Sequence, residues 1–185
     1  ALEQGADLLM IGAGRPDKLR RWFFGDLVDG VCRTAHCPVV VVNLAERQVE
    51  ALQRILVPIK DLSASAREQF ELAQRVLASA STDTGLITLL HIVDPRLSRH
   101  ERDRIERELR RWQPSGGTGA HVEILLSRGP GVETKIERSS RDHDLVILRS
   151  QRRQVAGLPI PASDRTSNLV SLLTCASMVI SEPLT

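Results

Sequence analysis

A segment that occurs twice in this chain sets the strongest limit on its fold. Gly5–Asn43 and Asp142–Ser181 each contain an Asp-Leu apolar strand, a loop that carries arginine, a helix that begins at an aspartate, and a short apolar strand. Only the second copy is preceded by enough chain to complete a domain. We therefore expect half of a first domain in residues 1–44, a charged linker in residues 45–53 and a complete second domain in residues 54–185. Because the first copy starts in the middle of the pattern and without Met, we expect the chain to be a piece of a longer protein.

Strand patterns alternate with helix patterns along the second part of the chain. Short apolar runs typical of buried strands are separated by helical stretches of the length that joins parallel strands. The predicted strands are Arg54–Ile59, Gly85–Val93, His121–Ser127, Asp144–Arg149 and Ser177–Ser181, and the predicted helices are Ser65–Ala80, Ser98–Trp112, Val132–Arg141 and Ser163–Thr174. Right-handed crossovers then predict an α/β fold with a doubly wound, five-stranded parallel sheet.

The first copy contributes an additional strand, helix and strand. These are predicted at Asp7–Ile11, Leu19–Ala35 and Val39–Asn43. Such a unit has open sheet edges and too small a core to be stable without a neighbour.

At the start of the predicted helix Ser65–Ala80, Ser65 and Glu68 have the spacing of a capping box.

The charge and the aromatic content argue against nucleic-acid binding. The 25 basic residues are nearly balanced by 23 acidic ones, and aromatic residues make up 3% of the chain, with no tyrosine. Such a chain has neither a dominant basic field nor a stacking surface for bases. No apolar run approaches the roughly 18 residues of a membrane span. We therefore expect a cytoplasmic module that does not insert into the membrane, although a larger parent protein can tether it to the inner membrane.

The residues that usually carry catalysis or bind metals are scattered. The five histidines fall on unrelated predicted elements, and no Ser/His/Asp or Cys/His set stands out. Cys32, Cys37 and Cys175 show neither a CxxC pair nor zinc-ligand spacing. We interpret these cysteines as buried reduced thiols and His91, inside an apolar strand, as a core residue with a hydrogen-bond partner. The sequence predicts neither an enzyme nor a metal site.

Three stretches resemble a known family. GADLLMIGAGRPDKLRRWFFGDLVDGVCRTAHCPVVVV is similar to the C-terminal half of a universal stress protein domain, including its Cys37-Pro38-Val39 turn. RILVPIKDLSASAREQFELAQ resembles the start of such a domain, and GLITLLHIVDP its second strand. The resemblance implies a flavodoxin-like sheet of strand order 3-2-1-4-5. Some members of the family bind ATP at the carboxyl ends of the strands, where open α/β sheets place ligands.

The family's phosphate loop, Gly-x2-Gly-x9-Gly-Ser/Thr, is altered in the first copy. Gly12 and Gly25 match the outer glycines, Arg15 replaces the middle glycine, and Asp26 replaces the hydroxyl residue. Glycines let the backbone approach a phosphate, and a helix N-terminus supplies N–H donors to it. A carboxylate at that place caps the helix by itself and repels a phosphate.

The second copy departs further from the family loop. Arg149 and Arg152 replace the first two glycines, Ser163-Asp164 corresponds to Gly25-Asp26, and Lys60, followed by Asp61, stands where the family has an acid that contacts the nucleoside. Pro159 and Pro161 stiffen the loop. We therefore expect a degenerate site and no cofactor. ATP binding remains an alternative, and so does another anion held by Arg149, Arg152 or Arg153, because arginine binds anions in place of backbone donors.

The stretch DLVILRSQRRQVAGLPIPASDRTSNLVSLLTCASMVI is similar to the C-terminal tails of bacterial ion transporters, namely chloride-channel-type proteins and cation/proton antiporters. This resemblance implies a non-enzymatic regulatory or dimerisation module. The alternatives are an ATP-binding universal stress protein with slow ATP hydrolysis and a purely structural dimer cap. As partners we expect the membrane part of the same protein and self-association through the last strands. Val39–Val42 and Ser177–Ile180 are predicted to pair edge to edge, so that the half domain joins the full one.

Overall fold

The computed structural model describes residues 6–13, 26–44, 52–80, 85–112, 121–150, 153–155, 158–160 and 164–182. In chain order its elements are β1 (Leu9–Ala13), α1 (Asp26–Thr34), β2 (Val39–Asn43), β3 (Arg54–Ile59), α2 (Ala64–Ser79), β4 (Leu86–Val93), α3 (Arg99–Arg110), β5 (His121–Arg128), α4 (Val132–Ser140), β6 (Leu145–Ser150), β7 (Arg153–Val155), β8 (Leu158–Ile160), α5 (Asp164–Leu172) and β9 (Ala176–Ser181). The predicted alternation of strands and helices is confirmed. The predicted helix at Leu19–Ala35 is described from Asp26 onward, and its first residues lie outside the described part of the chain.

The chain divides into two compact units. The central unit is Val49–Ile147, and the terminal unit combines Ala1–Gln48 with Leu148–Thr185. The division follows packing and falls inside β6. The predicted domain bounds follow the sequence duplication instead, and they stay a prediction.

The central unit contains a parallel sheet in the order β5-β4-β3-β6. Strands that are covered on both faces need apolar residues at nearly every position, and β3 and β4 have them. Leu56, Phe70 and Leu89, from β3, α2 and β4, are completely buried. Helix α2 is fixed to the sheet by Gln69, which donates hydrogen bonds to the carbonyls of Pro58 (3.1 Å) and Ile147 (2.7 Å).

The terminal unit joins the two copies of the repeated segment. Its strands follow the order β1-β2-β9-β6. β1 is parallel to β2, with Met10 opposite Val40, and β2 is antiparallel to β9, with Val41 opposite Val179. The prediction that the last strands of the half domain and the full domain pair edge to edge is therefore confirmed.

This pairing changes the prediction about self-association. β2 lies between β1 and β9, and β9 lies between β2 and β6, so the hydrogen-bonding edges of both strands are occupied within one chain. Self-association through the last strands stays a prediction, and it would have to displace this pairing within the chain.

The strand order of the predicted second domain agrees with the family order. In the central unit, β5, β4, β3 and β6 stand in the places of strands 3, 2, 1 and 4, and in the terminal unit β9 follows β6 as strand 5. The sheet has more strands than the predicted five, because β2 and β1 continue beyond β9.

Two local features differ from the sequence prediction. The proline-containing segment, predicted as a loop, includes an antiparallel hairpin in which Gln154 of β7 lies opposite Pro159 of β8. Helix α2 is capped by Ser63, whose hydroxyl accepts the N–H of Ala66 at 3.3 Å. Ser65 therefore lies inside the helix instead of forming the predicted cap.

Candidate functional site

The candidate residues fall into three places of the fold. Gly12 and Asp26 belong to β1 and the first turn of α1, Lys60 and Asp61 follow β3, and Arg149 lies in β6. The remaining candidates, Arg15, Gly25, Arg152 and Ser163, as well as the phosphate-loop segments that contain them, lie outside the described residues.

Gly12 has no packing reason to be a glycine. It is exposed near the carboxyl end of β1, and a Cβ atom added there would meet nothing within 4 Å. Neither a close neighbour nor an unusual φ angle requires glycine at this position. The residue that opens the following helix is Asp26, where the family pattern places a hydroxyl.

Asp61 serves the N-terminal turn of helix α2. Its carboxylate accepts the N–H of Ser63 at 3.1 Å, and Ser63 in turn caps the helix. The hydrogen bonds from Ser63 hold the pKa of Asp61 below its ordinary value, and the nearby Lys60 and His91 lower it further. The carboxylate therefore stays ionised to lower pH than an ordinary aspartate, and at the helix N-terminus it repels an anionic ligand that approaches the same N–H groups.

His91 is a core residue, as predicted. It is 8% exposed, and its Nδ1 lies 3.1 Å from the carbonyl oxygen of Ile59 in the neighbouring strand. The carbonyl accepts only if Nδ1 carries a proton, which fixes the ring position. A base enclosed in this way is out of reach of a substrate.

Sequence reasoning missed the turn that joins β5 to α4. Gly129 and Gly131 have φ angles of 95° and 80°, and Gly131 is the N-cap residue of α4. Lys135 reaches back from the helix and donates to the carbonyls of Arg128 and Gly129, the latter at 3.0 Å. The Gly-Pro-Gly run between a strand and a helix is the signal that could have found this turn. Its lysine is engaged by main-chain acceptors of the same turn.

Arg149 forms an ion pair with Glu182. The two side chains are 16% and 25% exposed, and the N–H of Glu182 donates to the carbonyl of Ser150 at 3.1 Å. The carboxylate is therefore held beside β6 by the backbone. An anion that bound Arg149 would have to compete with this internal partner.

A hydroxyl–imidazole pair is present, but its hydroxyl group is buried. Nε2 of His143 lies 2.9 Å from the Thr88 hydroxyl, and Nδ1 lies 2.7 Å from the carbonyl of Ser139. Thr88 is 3% exposed in the middle of β4. A nucleophile must reach its substrate, so this pair fits a structural hydrogen-bond chain between β4 and the end of α4.

The cysteines and the acids form no metal centre in the described part of the chain. Cys32 and Cys37 are buried thiols and Cys175 is a partly exposed one. Among the described residues, no three His, Cys, Asp or Glu side chains are grouped so that they could hold a metal ion. Within the same residues, none of the helices has the length and apolar character that crossing a bilayer requires.

Comparison with known proteins identifies related sequences. The universal stress protein family matches residues 1–43. The Na(+)/H(+) antiporter NhaS5 of Synechocystis sp. is 30% identical over 184 residues, which is 99% of this chain and 26% of the antiporter. The chain thus spans about a quarter of the length of this curated relative. Of the two transporter classes expected from the sequence, this relative belongs to the cation/proton antiporters.

Solved structures of similar fold include universal stress proteins. One from Archaeoglobus fulgidus has a TM-score of 0.63 and 14% identity, over 98% of this chain and 63% of that protein. The universal stress protein UspA of Lactobacillus plantarum has a TM-score of 0.50 and 18% identity, over 71% of this chain and 98% of that protein. Identities this low show the fold alone. The chain therefore has the α/β fold of solved universal stress proteins, and its residues 1–43 match the sequence model of that family.

Proposed function

We propose that this chain is a non-enzymatic regulatory module of a cation/proton antiporter, located on the cytoplasmic side of the membrane, with a degenerate nucleotide site. The observation that carries the proposal is the similarity to a Na(+)/H(+) antiporter along 99% of this chain. A universal stress protein fold inside a transporter supplies a binding and association surface and no transport pathway of its own. Its contribution to transport is then regulation.

The geometry of the candidate site supports the absence of family-type ATP binding. The N-terminal turn of α2 carries the Asp61 carboxylate, α1 begins at Asp26, and Arg149 is paired with Glu182. Among the described candidates, Asp61 presents a negative charge and Arg149 is a cation that already has an acidic partner. Electrostatic repulsion and competition both lower the affinity for a triphosphate.

The paired strands β2 and β9 support a module in which the two copies of the repeated segment share one sheet. Their antiparallel pairing extends over five residues of each strand, and Val39, Val40 and Val41 are fully or almost fully buried. The half domain is therefore built into the sheet. A purely structural dimer cap would leave such edges open for a second copy.

Thermal unfolding tests the nucleotide part of the proposal. A ligand at about 100 times its Kd adds roughly 2.7 kcal/mol to the stability, which is roughly 5–10 °C in Tm for a chain of this length. We expect millimolar MgATP to leave the Tm unchanged, and we expect the supernatant of the denatured protein to contain no stoichiometric adenine nucleotide. A clear rise in Tm, or a co-purified nucleotide, would establish the ATP-binding alternative.

That alternative has one observation in its favour, the exposed Gly12. Neither packing nor φ accounts for this glycine, and the family uses a glycine there to admit phosphate. If ATP does raise the Tm, Gly12→Ala should abolish the rise and Gly30→Ala should not. A Cβ atom added to Gly30 would also meet nothing within 4 Å, but this glycine lies inside helix α1.

Cell fractionation tests the antiporter part. An antibody against this chain should detect, in the membrane fraction, a band far larger than 20.5 kDa. A band of about this mass confined to the soluble fraction would contradict the proposal, whatever the nucleotide experiment shows.

A further inference from the structure

Helix α3 carries most of its basic residues on the side that faces away from the sheet. Its inner side includes Leu109, which is completely buried, and just after the helix Trp112, whose ring centroid lies 6.4 Å from that of Phe70 in α2. With about 3.6 residues per turn, the positions opposite this inner side fall within an arc of about 140°. All of them are exposed, and they are Arg99, His100, Asp103, Arg104, Arg107, Arg110 and Arg111. We call this surface the basic face of α3.

The basic face contains five arginines and one carboxylate, and the other acids of the helix lie at its borders or near its start. Glu106 forms an ion pair with Arg110 at 2.6 Å. Glu108 forms one with Arg111 at 2.9 Å. Glu101 is engaged in the N-terminal capping box of the helix. The charges of α3 are therefore segregated around the helix, although their sum is small.

The arginines of the basic face keep their charge available to an outside partner. Within the described part of the chain, Arg99, Arg104 and Arg107 form no ion pair. Nε of Arg107 donates to the main-chain carbonyl of Asp103 at 3.1 Å, which leaves its charge uncompensated. Arg110 and Arg111 have acidic partners, but their side chains are 61% and 75% exposed. Exposed pairs of this kind are weak and exchange for another anion.

We infer that the basic face of α3 docks on the surface of a bilayer that contains anionic phospholipids. Guanidinium groups bind phosphate oxygens through parallel N–H donors. Clusters of about four to eight basic residues on a helix are typical of binding to acidic lipid headgroups. The residues of the face are all charged or polar, so the helix would rest on the headgroups without entering the hydrocarbon layer.

The carboxylates at the borders favour a flat partner over one that surrounds the helix. A helix that lies in a nucleic-acid groove turns its sides as well as its outer face toward phosphate groups. Glu106 and Glu108 would then meet phosphates on both sides and repel them. A bilayer surface meets only the outer face. The net charge of +2 for the whole chain also gives no general attraction to nucleic acid.

The contact is weak by itself and gains strength from a tether. Each arginine near an anionic surface strengthens binding about fivefold, and one opposing carboxylate offsets one arginine, which gives half-saturation at about 1 mM lipid. A module held beside a membrane has a high effective concentration of lipid. It can then bind and release the surface as lipid composition or ionic strength changes. The tether rests on the proposed function, whereas the basic face is a property of α3 itself.

Sedimentation with lipid vesicles tests the contact in the 185-residue chain. The probes are vesicles of phosphatidylcholine alone and vesicles that also contain about 40% phosphatidylglycerol. In about 50 mM sodium chloride we expect binding to the anionic vesicles and none to the neutral ones. Raising the salt to about 500 mM should abolish the binding, because screening shortens the range of the attraction.

Two double variants separate the basic face from the net charge. Arg99→Gln with Arg107→Gln should weaken binding about 25-fold, which is about fivefold for each arginine. Arg138→Gln with Arg141→Gln removes the same charge from α4 and should change binding less than about twofold. Right-handed crossovers place α4 on the opposite face of the central sheet from α3, because the connection from β5 to β6 runs back across it.

A third variant should bind more tightly than the wild type. Asp103→Asn removes the carboxylate of the basic face and should strengthen binding to the anionic vesicles about fivefold. A folding defect cannot produce such a gain, so this variant keeps the test valid if an arginine variant is unstable. An unchanged or weaker affinity for Asp103→Asn would count against docking through this face.

Three further outcomes would overturn the inference. One is the absence of binding to anionic vesicles at low salt. Another is an equal loss in the two double variants, because the net charge alone would then account for binding. The third is tighter binding to a short DNA duplex through the same arginines, because a nucleic acid would then be the occupant. Cell fractionation decides the antiporter role separately, so either idea can fail alone.

Discussion

The carboxylate of Asp144 binds the backbone N–H of Arg54 at 2.8 Å, and it also accepts the N–H of Gln53 at 2.9 Å. Asp144 and Arg54 are 90 positions apart in the sequence. The contact joins the beginning of β6 to the beginning of β3, its parallel neighbour in the central unit. It also satisfies two main-chain donors just before and at the first residue of β3.

We predict that Asp144→Ala destabilises the protein by about 2–4 kcal/mol, because hydrogen bonds to a charged group contribute about 1.5–3 kcal/mol each and are not additive. Asp7→Ala is the matched control, since Asp7 occupies the same position in the first copy and is exposed. Its effect should stay within about 0.5 kcal/mol. Urea unfolding gives both values. A loss below about 1 kcal/mol for Asp144→Ala would contradict the role of this contact.

Two glycines should respond oppositely to alanine. A Cβ atom on Gly85 would lie 2.6 Å from Cδ2 of Leu77, which is 1% exposed. The resulting overpacking predicts a loss of about 1–3 kcal/mol for Gly85→Ala. Gly12→Ala meets open space and should leave stability unchanged or raise it by up to about 1 kcal/mol, because alanine restricts the unfolded chain.

Thermal and urea unfolding measure the stability of Gly85→Ala and Gly12→Ala. The cause of the loss is tested with Leu77→Val alone and with the double variant Gly85→Ala/Leu77→Val. The smaller valine should relieve the clash, so the double variant should lose less than the sum of the two single losses. Additive losses would mean that Leu77 does not limit the space at Gly85.

The fold could be predicted from local patterns, because each strand and helix carries its own periodicity. β3 and β2 have the bounds that the apolar runs indicate. The N-cap residue of α2 was harder to predict than these strands, because several residues near the start of the helix can act as caps. Asp61 fixes the N–H of Ser63 and thereby favours the earlier serine over Ser65.

The candidate site was less predictable, because its charges are compensated by residues distant in sequence. From its neighbours in the sequence, Arg149 is predicted to be an available cation. In the structure, Glu182, which follows β9, forms an ion pair with it. The hairpin of β7 and β8 was missed because Pro159 lacks an N–H group and argues against a strand. Pattern reasoning does not include such tertiary pairing.

Stability should fall as the pH decreases through the range of His143. Burial lowers the pKa of His143 below its ordinary 6.5, and Arg54 adds to this, while the Ser139 carbonyl, Asp142 and Asp144 oppose it. The unfolded chain therefore binds a proton more readily than the folded one. The free energy of unfolding decreases as the pH falls below about 6.5 and stops decreasing, for this group, below the folded-state pKa.

His143→Gln should flatten the pH dependence between pH 7 and pH 5. His100→Gln is the matched control, because His100 is exposed on α3 and should leave the slope unchanged. Urea unfolding at closely spaced pH values measures the slopes. Equal slopes for the wild type and His143→Gln would show that this histidine does not couple to folding.

The pair of Arg149 and Glu182 makes a prediction about anions. Glu182→Gln removes the carboxylate that pairs with Arg149. The Arg149 side chain is only 16% exposed. We expect a loss of about 1–3 kcal/mol in chloride solution, because a largely buried cation loses its charged partner. Phosphate should recover part of this loss, since it can take the place of the carboxylate.

The measurement is the Tm in sodium phosphate and in sodium chloride at equal ionic strength and pH. Glu137→Gln is the control, because the Glu137–Arg141 pair has an arginine that is 65% exposed and gains little from an anion. The wild type and the control should show the same small phosphate effect, and Glu182→Gln a larger one. A large phosphate effect already in the wild type would mean that an anion displaces Glu182 from Arg149, and the site would then be an anion sensor rather than a closed ion pair.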